Sequence, residues 1–357
     1  MHRRLRQGVH EARSIAPYAG ALIVLIASFT LAGAGSASAQ SRSRPRANAS
    51  AYRLDAPTSA AVVGSDLFVA NGGGDSVTEL NAASGQLVAM VSGKRYRFRS
   101  PSAVEAIGPD LFVANAGGNS VTEFDASTLK RVRVIHRHKA ELADPVALAS
   151  SGQELFVLNG NGSVTEISSS SGAVIGTISG PQFGFYSPSG FAVADGRIFV
   201  ANPSNNTMTV IDATTRALIG ILSGPSYGFN WPSGVAFDGT NVWITNPDNN
   251  SVTEISPTTL QALNVVVSSN LPWVVPIISG DGYVFTVSPP GSSPMVSQII
   301  PSSATVTWMM CNTNGPYDFN DPEAAVVDGS VLWVVNKGGN SLTEMDAASG
   351  ALIGTVQ

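Results

Sequence analysis

The chain is predicted to be all-β: a seven-bladed β-propeller of four-stranded antiparallel blades. Three observations predict it. A short apolar run ending in Asn recurs about every 44 residues: LFVAN at Leu67–Asn71 and Leu111–Asn115, LFVLN at Leu155–Asn159, IFVAN at Ile198–Asn202, VWITN at Val242–Asn246 and LWVVN at Leu332–Asn336. A degenerate seventh copy, YVFTV at Tyr283–Val287, falls between the last two. A fixed period in that range marks a repeat architecture. The second observation is register: Pro57, Pro101, Pro145, Pro188, Pro232 and Pro322 each precede the Asn of their copy by 14 residues. The third is that every repeat holds four short runs rich in Val, Ile, Phe and Thr, punctuated by Gly, Asp and Asn, as strands are.

The first run follows the proline, as in PSAVEAI from Pro101 and PEAAVVD from Pro322. The second is the Asn-terminated run. The third alternates, as in SVTEF from Ser120, SVTEI from Ser163 and Ser251, and SLTEM from Ser341. The fourth covers Gly172–Gly180, Ala217–Gly224 and Ala351–Val356. Between the first two runs lie Gly64-Ser65-Asp66, Asp195-Gly196, Asp238-Gly239, Asp281-Gly282 and Asp328-Gly329. Asp and Gly tolerate the positive φ of a tight hairpin turn, so these read as strand connections. Four antiparallel strands repeated seven times predict a ring, because closure buries each blade against the next. The domains expected are residues 1–39 as a secretory signal peptide, 40–50 as a flexible linker and 51–357 as the propeller.

The address is read from the first residues. Arg3, Arg4, Arg6 and Arg13 flank an apolar stretch from Ala19 to Ala34, and Ala37-Ser38-Ala39 supplies a small-x-small cleavage site. A secreted or cell-envelope location is expected, with no membrane span after cleavage. Cys311 is the one cysteine, so no disulfide can form within the chain and the fold must rest on packing. Without the leader, the chain has 16 Lys+Arg against 24 Asp+Glu, a net charge near −8 that speaks against general nucleic-acid binding. Nine of those 16 basic residues crowd between Lys94 and Lys139.

No residue set points to catalysis. His2 and His10 leave with the leader, and His136 and His138 sit in a basic run in what should be an outer strand. No base lies within a recognisable motif of a Ser, Thr or Cys nucleophile. Glu79, Glu123, Glu166, Glu254 and Glu344 repeat at one position of the third strand, toward the outside of the blade. Val210 and Gln298 interrupt the series, so a structural or solvated role is expected rather than a metal or substrate ring. The Asn that ends each second strand is expected to bond the backbone of the following Gly/Asn loop in an Asx turn. The loops lack the dense alternating Asp of a calcium site. No metal and no cofactor is expected.

The connections into each proline carry aromatics in register, as in YRFRSP from Tyr96, FGFYSP from Phe183, YGFNWP from Tyr227 and YDFNDP from Tyr317. Those five and three residues before the proline are expected to wedge between blades. Tyr186, Trp231 and Trp273 fall outside that register and are expected to be exposed contacts. In an up-and-down blade, the two-to-three and four-to-one loops share one face of the disc. That face is the expected binding surface, around the channel mouth.

Lys94, Arg95, Arg97 and Arg99 lie between blades 1 and 2, and Lys130, Arg131, Arg133, Arg137 and Lys139 along the outer strand of blade 2 and beyond. The two stretches are expected on adjacent blades, making a positive patch for an anionic polymer or an acidic protein surface.

An apolar strand ending in Asn, a Gly/Asn loop, then Ser-Val-Thr-x-[Ile/Phe] resembles the YVTN family of propeller repeats, and is similar to NHL-type repeats, over Tyr52–Gln357. The resemblance implies the propeller fold but no single activity. Enzymatic propellers that resemble this chain use His and Glu around the channel, and no His is so placed here. The expected function is therefore a secreted, non-enzymatic binding module. A channel-mouth lyase or lactonase-like hydrolase and a purely structural envelope protein are the rivals. Ligand and oligomeric state are not legible.

Overall fold

A computed structural model describes residues 52–357, except 137–140, 272, 274, 289–293 and 312–316. The expected leader (1–39), the linker (40–50), Arg137, His138 and Lys139 lie outside the described residues. The described chain forms seven four-stranded antiparallel sheets, each using four consecutive strands in simple order. The blades run Pro57–Ser92, Pro101–His136, Pro145–Ile178, Gly190–Leu222, Val235–Val267, Ile277–Cys311 and Pro322–Val356. No α-helix occurs among the described residues, and no helix there is long and apolar enough to cross a membrane.

The proline register is visible directly: Pro57 pairs Asn71, Pro101 pairs Asn115, Pro145 pairs Asn159 and Pro322 pairs Asn336 across the first two strands. Asp195 (φ 48°) and Gly196 (φ 70°) form the two-residue turn between Ala194 and Arg197, both in the left-handed conformation that such a hairpin needs. Asp238-Gly239 departs from expectation. It opens a four-residue loop closed by Phe237 and Val242, with the Asp238 carboxylate accepting the N–H groups of Thr240 and Asn241.

First strands of neighbouring blades pack against one another around the ring, blade 7 against blade 1 included. They are therefore the inner strands, and the fourth strands form the rim. Both faces of each blade are covered by neighbours, so second and third strands are buried almost throughout. Of the two roles expected for the repeated glutamates, structural or solvated, burial removes the second. Glu79, Glu123, Glu166, Glu254 and Glu344 are buried rather than solvated. Alternation on a third strand suggests one wet face, but here the polar register is interior too.

Buried polar groups must be paired, and the repeat does so with a relay. The Asn side-chain amide donates to the Thr of the third strand at 2.9–3.0 Å in six blades: Asn71–Thr78, Asn115–Thr122, Asn159–Thr165, Asn202–Thr209, Asn246–Thr253 and Asn336–Thr343. The Thr hydroxyl donates onward to the carbonyl of the aromatic that opens the blade: Tyr96, Phe183, Tyr227 or Tyr317. The Asn thus reaches across to the next strand, not forward into its loop as an Asx turn would. Blade 6 keeps the second step with Ser297 donating to Asn270.

The ring closes without strand exchange. Residues Tyr52–Leu54 form no strand; the Tyr52 carbonyl instead accepts from Thr78. Across the blade 7–blade 1 seam the Ala56 N–H donates to Asn340 Oδ1 at 2.7 Å. Equivalent bonds run Ser100 to Asp75, Asp144 to Asn119 and Trp231 to Asn206, each 2.7 Å.

Candidate functional site

Backbone bonds place the loops. Gly72 and Gly73 donate to Ala56 and Asp55, Ala116 to Ser100, Gly160 to Asp144 and Lys337 to Asp321. Each two-to-three loop therefore lies against the residues just before its blade's proline, and the two loop sets share one face. The opposite face carries the short one-to-two turns. The aromatics five and three residues before the proline are packed, stacked in near-parallel pairs: Tyr96–Phe98 at 5.4 Å, Phe183–Phe185 at 5.6 Å, Tyr227–Phe229 at 5.2 Å and Tyr317–Phe319 at 5.4 Å. Phe124 of blade 2 meets both Tyr96 and, from blade 1, Phe68. The Tyr96 and Tyr227 hydroxyls donate to the carbonyls of Leu129 and Leu260.

Two sectors of the loop-bearing face depart from the repeat. The first precedes blade 2. Lys94, Arg95, Arg97, Arg99 and Arg131 are exposed, while Tyr96 and Phe98 between them are buried. The alternation follows from the stacked pair: each aromatic turned inward sends its neighbours out. Arg95 lies over the Tyr96 ring at 4.7 Å and donates to its hydroxyl at 2.7 Å. Arg131 donates to the Arg95 carbonyl at 2.6 Å, and Arg97 to His136 Nε2 at 2.7 Å. The two basic stretches thus meet on one blade rather than on adjacent blades, because residues 94–99 lead into the blade whose rim strand is Arg131–His136. Arg133 is not part of that surface. It pairs with buried Glu123 at 2.9 Å.

The second sector spans blades 4 to 6. Tyr186, Trp231 and Trp273 remain 58%, 49% and 53% exposed. Each stands in the connection into its blade. Trp231 and Trp273 themselves adopt left-handed backbone, at φ 60° and 50°, and Ser187 after Tyr186 does so at 52°.

The carboxylates with the most raised proton affinity are elsewhere. Glu105, on the inner strand of blade 2, is fully enclosed. Burial pushes its pKa up to about 8, against a 2.7 Å hydrogen bond from Ser150 of blade 3 that lowers it. Burial likewise raises Glu123 to about 7, opposed by Arg133. Glu166 accepts from Arg216 of blade 4 at 2.6 Å, and Glu254 from Asn241 and Asn264 at 2.7 and 2.6 Å. These groups pin strands and blades together. Sequence reasoning missed Glu105, although the signal was present: the equivalent position holds Ala61, Ala149, Ala192, Ala236, Ile278 or Val326. Among the described residues no three His, Cys, Asp or Glu side chains converge as a metal-binding group.

The family model described as outer membrane protein assembly factor BamB matches residues 34–262, more than half of the chain, and the chain belongs to that family. No curated protein matches it in sequence. Among solved structures it is similar to hydrazine synthase of Kuenenia stuttgartiensis, at 16% identity and TM-score 0.66 over 83% of this chain and 97% of that one. It is similar to a streptogramin B lyase, at 12% identity and TM-score 0.65 over 82% and 93%. The computationally designed Ika8 protein aligns at 12% identity and TM-score 0.59 over 82% and 97%. At these identities the likeness is one of fold.

Proposed function

We propose that this member of the BamB family is an extracytoplasmic, non-enzymatic binding module that engages partners through the loop-bearing face of its disc. One observation carries the reading. Lys94, Arg95, Arg97 and Arg99 before blade 2 and Tyr186, Trp231 and Trp273 before blades 4 to 6 are exposed, break the repeat and lie in four-to-one connections, hence on one face, with Arg131 on the rim strand beside the first group. Loops held on a rigid scaffold are where recognition is usually placed. The leader pattern and the family description support a location outside the cytoplasm. The Asn-terminated strand followed by Ser-Val-Thr-Glu supports a YVTN-like repeat type within the propeller architecture. The buried, pinned carboxylates favour binding over a channel-mouth enzyme.

At the basic sector the partner is an anionic polymer or an acidic protein surface. Lys94, Arg95, Arg97, Arg99 and Arg131 supply charge, while Arg133 is held by Glu123. Exposed charges are screened beyond about 8 Å at physiological ionic strength, so retention should be salt-sensitive. The test is elution of the mature protein from immobilised heparin. Wild type should be retained at low salt, and a variant with Lys94, Arg95, Arg97 and Arg99 changed to Ser should elute earlier. Equal elution would remove the basic sector from the proposal.

A further inference from the structure

We infer that the aromatic sector, Tyr186, Trp231 and Trp273, is a binding site for a neutral oligosaccharide. The inference rests on the loop-bearing face being the recognition surface. A left-handed backbone is unfavourable for residues with a Cβ, and bulky side chains are seldom found there. The position just before the proline holds Ala56, Ser100, Asp144, Ser187 and Asp321 in other blades, all in the same conformation. Blade 5 places Trp231 there, and the connection into blade 6 places Trp273 at a left-handed position of its own. Nothing in the scaffold requires an indole at either site, since about half of each remains in water. An outlier kept against its cost points to function.

The same loops hold these residues still. The Trp231 N–H donates to Asn206 Oδ1 at 2.7 Å and the Trp273 N–H to Asn250 Oδ1 at 3.2 Å. These are the blade-to-blade bonds that elsewhere hold Ser100 and Asp144. The ring planes are thus presented from pinned backbone, which spares the ordering cost of binding.

The surroundings select the ligand. Ser204, Asn205, Asn206 and Asn250 are exposed, and among the described residues of the surrounding loops (179–189, 203–206, 223–234, 247–250, 268–271, 273 and 275–276) the single charged residue is Asp248. Flat apolar rings beside amides and hydroxyls match a pyranose, which offers a C–H face for stacking and equatorial hydroxyls for hydrogen bonds. An anionic polymer finds no cation here. A protein hot spot would add aliphatic contacts, but the exposed aliphatics Leu218, Ile219, Leu263, Val265 and Val267 belong to the rim strands.

The test is affinity electrophoresis of the mature protein through gels holding one neutral polysaccharide each: amylose, hydroxyethylcellulose, laminarin, galactomannan or glycol chitin. Fluorescence titration then follows with the matching hexasaccharide. At least one polysaccharide should retard the wild type, with little dependence on salt. Trp231→Ala and Trp273→Ala should each weaken hexasaccharide binding about tenfold, as anchoring aromatics do, and Trp231→Phe should retain most of it. The variant with Lys94, Arg95, Arg97 and Arg99 changed to Ser should bind as wild type. Thermal midpoints within a few degrees of wild type confirm that the variants fold. If no gel retards the wild type, or if Trp231→Ala and Trp273→Ala leave retardation unchanged, the inference is overturned. Heparin retention then separates the two readings: kept, it leaves the binding face standing without a glycan, and lost as well, both fall.

Discussion

The connections into blade 2 and blade 5 are the same structure carrying opposite surfaces. Each opens on a stacked aromatic pair, Tyr96–Phe98 or Tyr227–Phe229. Each tyrosine hydroxyl caps the turn of its own blade, and each left-handed residue before the proline donates to an Asx side chain of the preceding blade. What differs is the set of side chains facing out: Arg95, Arg97 and Arg99 in one, Asn230 and Trp231 in the other. The interior is satisfied by the repeat, so the outward positions can vary without leaving a buried polar group unpaired. Surface character can then differ by sector while the scaffold stays the same.

The largest expected effect breaks the comparison by striking the shared scaffold. At Gly234 an added Cβ would sit 2.2 Å from the Val275 carbonyl oxygen, on backbone that cannot yield. Gly234→Ala should cost about 3 kcal/mol, the upper range for an overpacked core. Denaturant unfolding should show it, and heparin retention and any glycan binding should fall together on heating.

A smaller effect sharpens the comparison, because it belongs to the blade whose rim bears the basic sector, at its seam with blade 3. Glu105 has a folded-state pKa of about 8, above its ordinary 4.5. Its contribution is therefore fully present below pH 4.5 and is lost as pH rises through 8. Wild type should lose on the order of 2 kcal/mol between pH 6 and 8, given about 1.4 kcal/mol per tenfold change in proton affinity. Glu105→Gln should flatten that slope. Hydrogen exchange should find the loosening at blades 2 and 3 and not at blades 4 to 6; a slope unchanged by the substitution would refute the assignment.

Within the basic sector, two arginines should separate. Arg133→Ala strips the partner from buried Glu123 and should destabilise by about 1–2 kcal/mol, a penalty reduced because Arg133 is partly exposed. Arg97→Ser touches only the surface and should stay within about 0.5 kcal/mol. Thermal melts of the two variants decide it. Smallest of all, Trp231→Gly should raise stability by up to about 1 kcal/mol, since glycine accepts φ 60° without strain. Chemical denaturation checks the sign, and a loss would mean the indole packs.

Periodicity made the scaffold legible. The Pro-to-Asn spacing matches the strand register in blades 1, 2, 3 and 7, and Asp195-Gly196 its turn, while blade 6 sits one residue out, with Ser288 and not Val287 at the Asn position. The interior chemistry was less visible, since alternation in Ser-Val-Thr-Glu describes a two-sided strand but not what covers each side. Hence the burial of Glu123 and Glu254 leaves no mark in that pattern. Departures from the repeat mark the special positions better: Trp231 breaks the motif before its proline, and Glu105 breaks a row of apolar residues on the inner strands. Which arginines meet is a matter of three-dimensional adjacency, and the Arg97–His136 contact has no trace in spacing.

The seam between blades 7 and 1 is joined by the bond from Ala56 to Asn340, the same kind that joins its neighbours. No strand is lent across it, so the ring has no clasp and no privileged beginning. Joining Gln357 to Tyr52 and cutting instead at Asp195-Gly196 would leave every sheet with its own four strands. The order of blades around the disc is thus fixed by the chain, but the point at which translation enters the circle is interchangeable. Such a permuted protein should close into the same disc with both sectors in place.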